Sequence, residues 1–130
     1  MLKNTILNSR LIELLCRLGH TQTICICDAG LPIPSDKEVI DLAFLPGCPD
    51  ISTVLSGILA CAPFEKAYCA TESQIKNLSF MTFLKEHLEC EIYTMPHEDL
   101  KNLSLSCTAF IRTGECTPYA NVILQACTTF

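Results

Sequence analysis

Six short apolar runs punctuate the chain, and what lies between them limits the fold. "TICICD", "EVIDLAF", "KAYCAT", "CEIYTM", "CTAFIRT" and "ANVILQA" have the length and residue types of buried strands. Most are separated by segments with helical spacing. Leu11, Leu14, Leu15 and Leu18 fall at i, i+3, i+4 and i+7, with Asn8 or Ser9 placed as N-cap and Gly19 just past the end. Asp50 caps a second helix whose stripe is Ile51, Val54, Leu55, Ile58 and Leu59. Ile75, Leu78, Met81 and Leu84 predict the longest helix over residues 72–88, and "HEDLKNL" predicts a short one. Parallel strands need a crossover connection, so strands alternating with helices predict a mainly parallel sheet covered on both faces. The "GECTP" turn between the last two strands is too short for a crossover, which makes the sheet mixed. The expectation is an α/β fold: a single three-layer domain over residues 1–130 with about six strands and helices on both faces.

Composition removes several functions. The formal net charge of -5 and the pI near 5.0 argue against nucleic acid or an anionic membrane as main partner. No uncharged apolar run approaches ~18 residues, so no membrane-spanning helix is expected. The ten cysteines sit in apolar runs such as "ICIC", "ILACA" and "AYCA", where a free thiol acts as a small hydrophobe. The "MLKNTILNSR" start lacks the apolar run and cleavage site of a signal peptide. A reducing, cytoplasmic setting is expected, in which the Asn77 and Asn102 sequons carry no sugar.

The chemistry-bearing residues are few. Dinucleotide, P-loop, zincin and nucleophile-elbow motifs are all missing. No two cysteines have zinc-ligand spacing, so neither metal nor cofactor is expected. Cys25 and Cys27 share one face of their strand and read as core, while Cys116 has no cationic neighbour in sequence to make it a nucleophile. His87 lies near the end of an amphipathic helix and reads as a solvated residue. His20 follows a helix end, where the dipole favours a cation; His97 opens a helix, where it does not. Asp28 ends a strand before Ala29-Gly30 and is open between a turn cap and a ligand-binding carboxylate. Tyr119 and Asn121 flank Ala120 after Pro118; in an extended segment they would offer a phenol and an amide to one ligand. In open α/β sheets ligands bind beyond the strands' carboxyl ends, where Asp28, His97 and the "TGECTPYAN" turn fall. Imidazole, carboxylate, phenol and amide together suit a neutral polyhydroxylated ligand and proton transfer.

"ILNS", "LGHT", "CDAGLPIP", "PHEDLK" and "IRTGECTPYANVILQA", in that order and over nearly the whole length, resemble the sugar pyranase and mutarotase family, in its D-ribose pyranase branch rather than its fucose branch. The resemblance implies interconversion of the pyranose and furanose rings of D-ribose without cofactor. It implies His20 as proton donor, with Asp28, His97 and the Tyr119-Ala120-Asn121 segment holding the sugar. It also implies a closed ring-shaped homo-oligomer, usually a decamer. Lys101, one helical turn beyond His97, is a further candidate contact. Two positions depart from the family pattern: Pro96 stands where Ser or Thr would cap the helix, and Cys127 where Gly is usual.

Spacing adds one expectation. Eight extended residues span up to ~26 Å, so His20 and Asp28 at opposite ends of a strand cannot touch one sugar from a single chain. The site is therefore expected across a subunit interface. The rival readings are a mutarotase for another sugar such as fucose, a non-catalytic sugar-binding accessory protein, and, least favoured by cysteine spacing, a thiol redox or metal protein.

Overall fold

Helices begin where the sequence supplies a capping side chain. In the computed structural model, which describes residues Met1–Phe130, Asn8 accepts from Leu11 N to start α1 (Ser9–Arg17), and Asp50 accepts from Thr53 N to start α2 (Ile51–Cys61). The remaining helices are α3 (Ser73–Lys76), α4 (Leu78–His87) and α5 (His97–Ser104). The strands are β1 (Thr23–Cys27), β2 (Val39–Asp41), β3 (Phe64–Ala70), β4 (Glu91–Met95), β5 (Ala109–Arg112) and β6 (Val122–Ala126).

The strands form one mixed sheet in the order β2-β5-β1-β6-β3-β4. β5 pairs in parallel with β1 and β2, and β3 in parallel with β4. Only β6 runs antiparallel, wedged between β1 and β3. Although β5 and β6 are joined by a short connection, they are not neighbours, because β1 lies between them.

The alternation of side chains along β1 divides the core in two. Ile24 and Ile26 enter a cluster of 19 buried residues beneath α1, α2 and α4. Cys25 and Cys27 face a smaller cluster beneath α5, with Leu100, Cys107, Phe110 and Ile123. Burial of side chains such as Leu14, Leu55, Ile58 and Leu84 contributes roughly 1.5–3 kcal/mol each, so the three-helix layer carries most of the stability. Helices on both faces make the three layers expected from the alternating pattern.

The helix expected over residues 72–88 is two helices. The chain breaks at Asn77 (φ -147°, ψ 68°), and Ile75 and Leu78, read as parts of a buried stripe, are 82% and 64% exposed. An Asn side chain competes with the helical backbone for hydrogen bonds. Here Asn77 Oδ1 accepts from Phe80 N as the cap of α4, while its Nδ2 reaches away to a loop described below. β2 is also shorter than "EVIDLAF", ending at Asp41.

This topology gives the sheet two chemically distinct edges. Cys27, Arg112 and Asp41 are in register at one edge, where β3 and β4 end at Ala70 and Met95 and β6 begins at Val122. At the opposite edge Thr23, Gln125, Lys66 and Glu91 lie side by side.

Candidate active site

Asp28 stands one residue past β1, and its carboxylate has two jobs. Oδ1 accepts from Gly30 N at 2.9 Å, closing the turn that the sequence suggested. Oδ2 accepts from Asn121 Nδ2 at 2.9 Å, while Asn121 Oδ1 accepts from Asp28 N at 2.9 Å. This reciprocal pair fixes the carboxylate's plane. The loop around it is tied to the turn after β5: Ala29 N donates to Glu115 O at 2.8 Å, and Arg112 Nε donates to Ala29 O at 3.1 Å. Beside Asp28 opens a hollow of about 400 Å³ bordered by Gly30, Glu115, Cys116 and Thr117.

The segment after Pro118 is not extended. Tyr119 adopts φ 57°, a left-handed conformation that is costly for a bulky residue. Buried Ser73 holds it there by donating Oγ to Tyr119 O at 2.9 Å. Asn77 Nδ2 donates to Pro118 O and to Thr117 Oγ1, both at 2.8 Å. The break between α3 and α4 thus clamps this loop. Because of the turn, Tyr119 and Asn121 do not project side by side as an extended reading would have them. Asn121 is buried against Asp28, and Ala120 is buried in the larger core cluster, which leaves only its backbone to face a ligand.

The Tyr119 ring meets His97 edge-on, with centroids 5.1 Å apart. His97 opens α5 behind Pro96, which makes no side-chain cap. Glu72 takes over that task from the end of the β3 connection: its Oε2 accepts from His97 N at 2.9 Å. A carboxylate at a helix start also complements the dipole. His97 Nδ1 is buried and has no hydrogen-bond partner within the chain, so it is open to a bond from water or a ligand. Lys101 is held by Glu98 at 2.7 Å, and that bond lowers the Glu98 carboxyl from its ordinary value.

Asp28, His97, Tyr119, Ala120 and Asn121 therefore gather at one edge of the sheet. His20 does not join them. It lies before β1 at the opposite edge, half exposed, and its Nε2 donates to Glu65 Oε2 at 3.2 Å. Glu65 Oε1 accepts from Gln125 Nε2 at 2.6 Å. These bonds, that from Gln125 before that from His20, lower the Glu65 carboxyl from its ordinary 4.5.

Other candidates play structural parts. His87 donates Nδ1 to Phe83 O at 2.9 Å and stacks on the Phe83 ring. Burial pushes the Cys69 and Cys107 thiols up to about 11, so neither is a thiolate at neutral pH.

Sequence reasoning missed Glu65, Gln125, Glu72, Ser73 and Asn77, all of which hold other residues in place. Their partners are far away in the chain, and local patterns carry no trace of such pairs. Glu72 had one pointer: a proline where a helix cap belongs asks for a cap from elsewhere.

Comparison with known proteins agrees with the fold. The chain matches the RbsD / FucU transport protein family over residues 1–129. It is 42% identical to a D-ribose pyranase of Thermoanaerobacter over 97% of both chains, and 38% identical to that of Lactiplantibacillus plantarum over 100% of both. Bacillus subtilis RbsD, solved in complex with D-ribose, has a TM-score of 0.95 and 43% identity, with 100% of each chain covered. The chain belongs to the RbsD / FucU family.

Proposed function

We propose that the chain is a D-ribose pyranase, interconverting the pyranose and furanose rings of D-ribose by general acid–base ring opening and closure. The observation that carries this reading is its full-length similarity, at 43% identity, to a protein solved with D-ribose bound. The residues fit the chemistry. Opening a cyclic hemiacetal requires a proton delivered to the ring oxygen as its bond to the anomeric carbon breaks, and a proton released from the anomeric hydroxyl to water. The aldehyde then rotates and a different hydroxyl closes on it. Nothing is oxidised or reduced, so no cofactor is needed.

His20 is the general acid at the ring oxygen. Asp28, held at two points by Asn121 and Gly30, accepts hydrogen bonds from sugar hydroxyls through its remaining lone pairs. His97 and Tyr119 bind further hydroxyls, as do backbone groups of Ala120 and Asn121, and the unpartnered His97 Nδ1 supports that role. A positioned acid is worth about 10²–10⁴-fold, which suits a reaction that already proceeds slowly in water.

β1 alone separates the two groups by ~13 Å of backbone at 3.3 Å per residue, and His20 lies further still beyond its start. Each site accordingly takes its acid from a neighbouring subunit, and the enzyme is a closed homo-oligomer, a ring-shaped decamer, working in the cytoplasm. Magnetisation-transfer NMR on D-ribose tests the reading. The expected result is faster pyranose–furanose exchange with wild type and its loss in His20→Ala. A folded wild-type protein that leaves the exchange rate unchanged overturns it.

A further inference from the structure

His20 is the acid in the reading above, yet an exposed imidazole ring can turn about two side-chain bonds and can carry its proton on either nitrogen. Three features of the structure limit that freedom. The backbone of His20 sits in a turn pinned to β6: Thr21 N donates to Ala126 O at 3.1 Å, and Gly19 N donates to Gln22 Oε1 at 2.7 Å. The ring is bonded to Glu65, whose own orientation is set by the 2.6 Å bond from Gln125. Glu65 also occupies an irregularity in the ladder, because Phe64 pairs with Ala126 while Lys66 pairs with Gln125, leaving Glu65 as the extra residue. A bulge of this kind re-aims a side chain, and bulges are over-represented beside active sites.

We propose that Glu65 is a positioning residue for His20: it holds Nε2 through a hydrogen bond and so leaves Nδ1 as the nitrogen that exchanges protons with the sugar. The inference rests on His20 being the acid of a ring-opening reaction. A carboxylate cannot donate, so the shared hydrogen is on Nε2 in both charge states of the ring. In the imidazolium, Nδ1–H passes its proton to the ring oxygen as the C–O bond opens. The neutral ring that remains has its lone pair on Nδ1, ready to take a proton from the hydroxyl that closes the new ring. Without Glu65, the ring turns freely and the two neutral tautomers interchange.

Stability gives little reason for the pair, because exposed ion pairs contribute little to folding. Glu65 can therefore be replaced without unfolding the chain, and the test is clean. Three proteins are compared: wild type, Glu65→Ala and Glu65→Gln, each in its native assembly. Exchange of D-ribose is followed by magnetisation transfer over a range of sugar concentrations, and the histidine rings are observed by ¹⁵N NMR. There are only three histidines, so the His20 signals are assigned by their loss in His20→Ala.

Glu65→Ala is expected to lower kcat by about 10–100-fold, since a misplaced catalytic group costs up to that much, while KM stays within about twofold. Glu65→Gln is expected to recover most of the rate, because its amide oxygen still accepts from Nε2 while the Gln125 amide turns over to present Oε1 to the new NH₂. The ¹⁵N spectrum is expected to change from a single Nε2–H form in neutral wild type to a mixture in Glu65→Ala. An unchanged kcat in Glu65→Ala overturns the proposal, as does an equal loss in both variants or a Nε2–H form that persists without Glu65. If wild type fails to speed ribose exchange, the pyranase reading falls, and the ¹⁵N comparison alone then decides whether Glu65 sets the ring.

Discussion

Asp28 illustrates what one side chain can reveal and conceal. A carboxylate after a strand and before Ala-Gly was legible in the sequence as a turn cap or a ligand group. Its partner Asn121, 93 residues away, was not, because only the sheet brings the two together. The pair also makes a sharp prediction. In Asp28→Asn one amide orientation points NH₂ at Gly30 N–H and the other points it at the Asn121 amide, so a donor meets a donor either way. Leaving one such group unpaired costs about 1–3 kcal/mol. Asp28→Asn should melt at a lower temperature and lose at least about tenfold in kcat/KM on ribose, by the loss of a charged acceptor for hydroxyls. Thermal unfolding beside the exchange assay checks both; a variant of unchanged kcat/KM would remove Asp28 from the site.

The element that departs most from its sequence pattern is the helix over residues 72–88. Ile75, Leu78, Met81 and Leu84 have good helical spacing, yet only Met81 and Leu84 are buried. Periodicity cannot register that Asn77 has a loop to hold, since Thr117 and Pro118 are about 40 residues further on. The strands, by contrast, were all legible as short apolar runs between turns, although β4, read as a buried strand, has no buried residue. Breaking a helix to clamp a loop predicts a mixed phenotype for Asn77→Ala. It loses the α4 cap, about 1 kcal/mol, together with both bonds that fix Thr117 and Pro118. With Tyr119 no longer held in its left-handed turn, KM for ribose should rise several-fold and proteolysis within residues 114–121 should quicken. A rise in proteolysis without any change in KM would place Tyr119 outside the sugar site.

At the scale of the whole molecule, the two ends of the sheet separate His20, the proposed acid, from Asp28 and the other proposed sugar-binding groups. The fold class followed from the alternation of elements, and the mixed sheet from the short connection before the last strand. The placement of His20 and Asp28 at opposite ends of β1 followed from strand geometry. What covers each edge could not follow, since a second chain leaves no mark on the period of the first. The split predicts complementation. His20→Ala and Asp28→Ala should each be inactive alone. Unfolded together and refolded as mixed assemblies, they should regain about a quarter of the wild-type sites, those pairing an intact His20 with a neighbour's intact Asp28. Mixed assemblies without activity would mean that both residues serve a sugar from the same chain. The central, antiparallel β6 bears on how such a molecule comes into being. It begins beside Asn121, which holds Asp28, and carries Gln125 near its other end, which holds Glu65. It also fills the gap between β1 and β3. On the ribosome β6 is made after every other strand, so until it emerges the sheet is two unjoined halves and neither half-site has its brace. Sheet closure and the bracing of Asp28 and Glu65 therefore arrive in one late event, which assembly with a second chain can only follow.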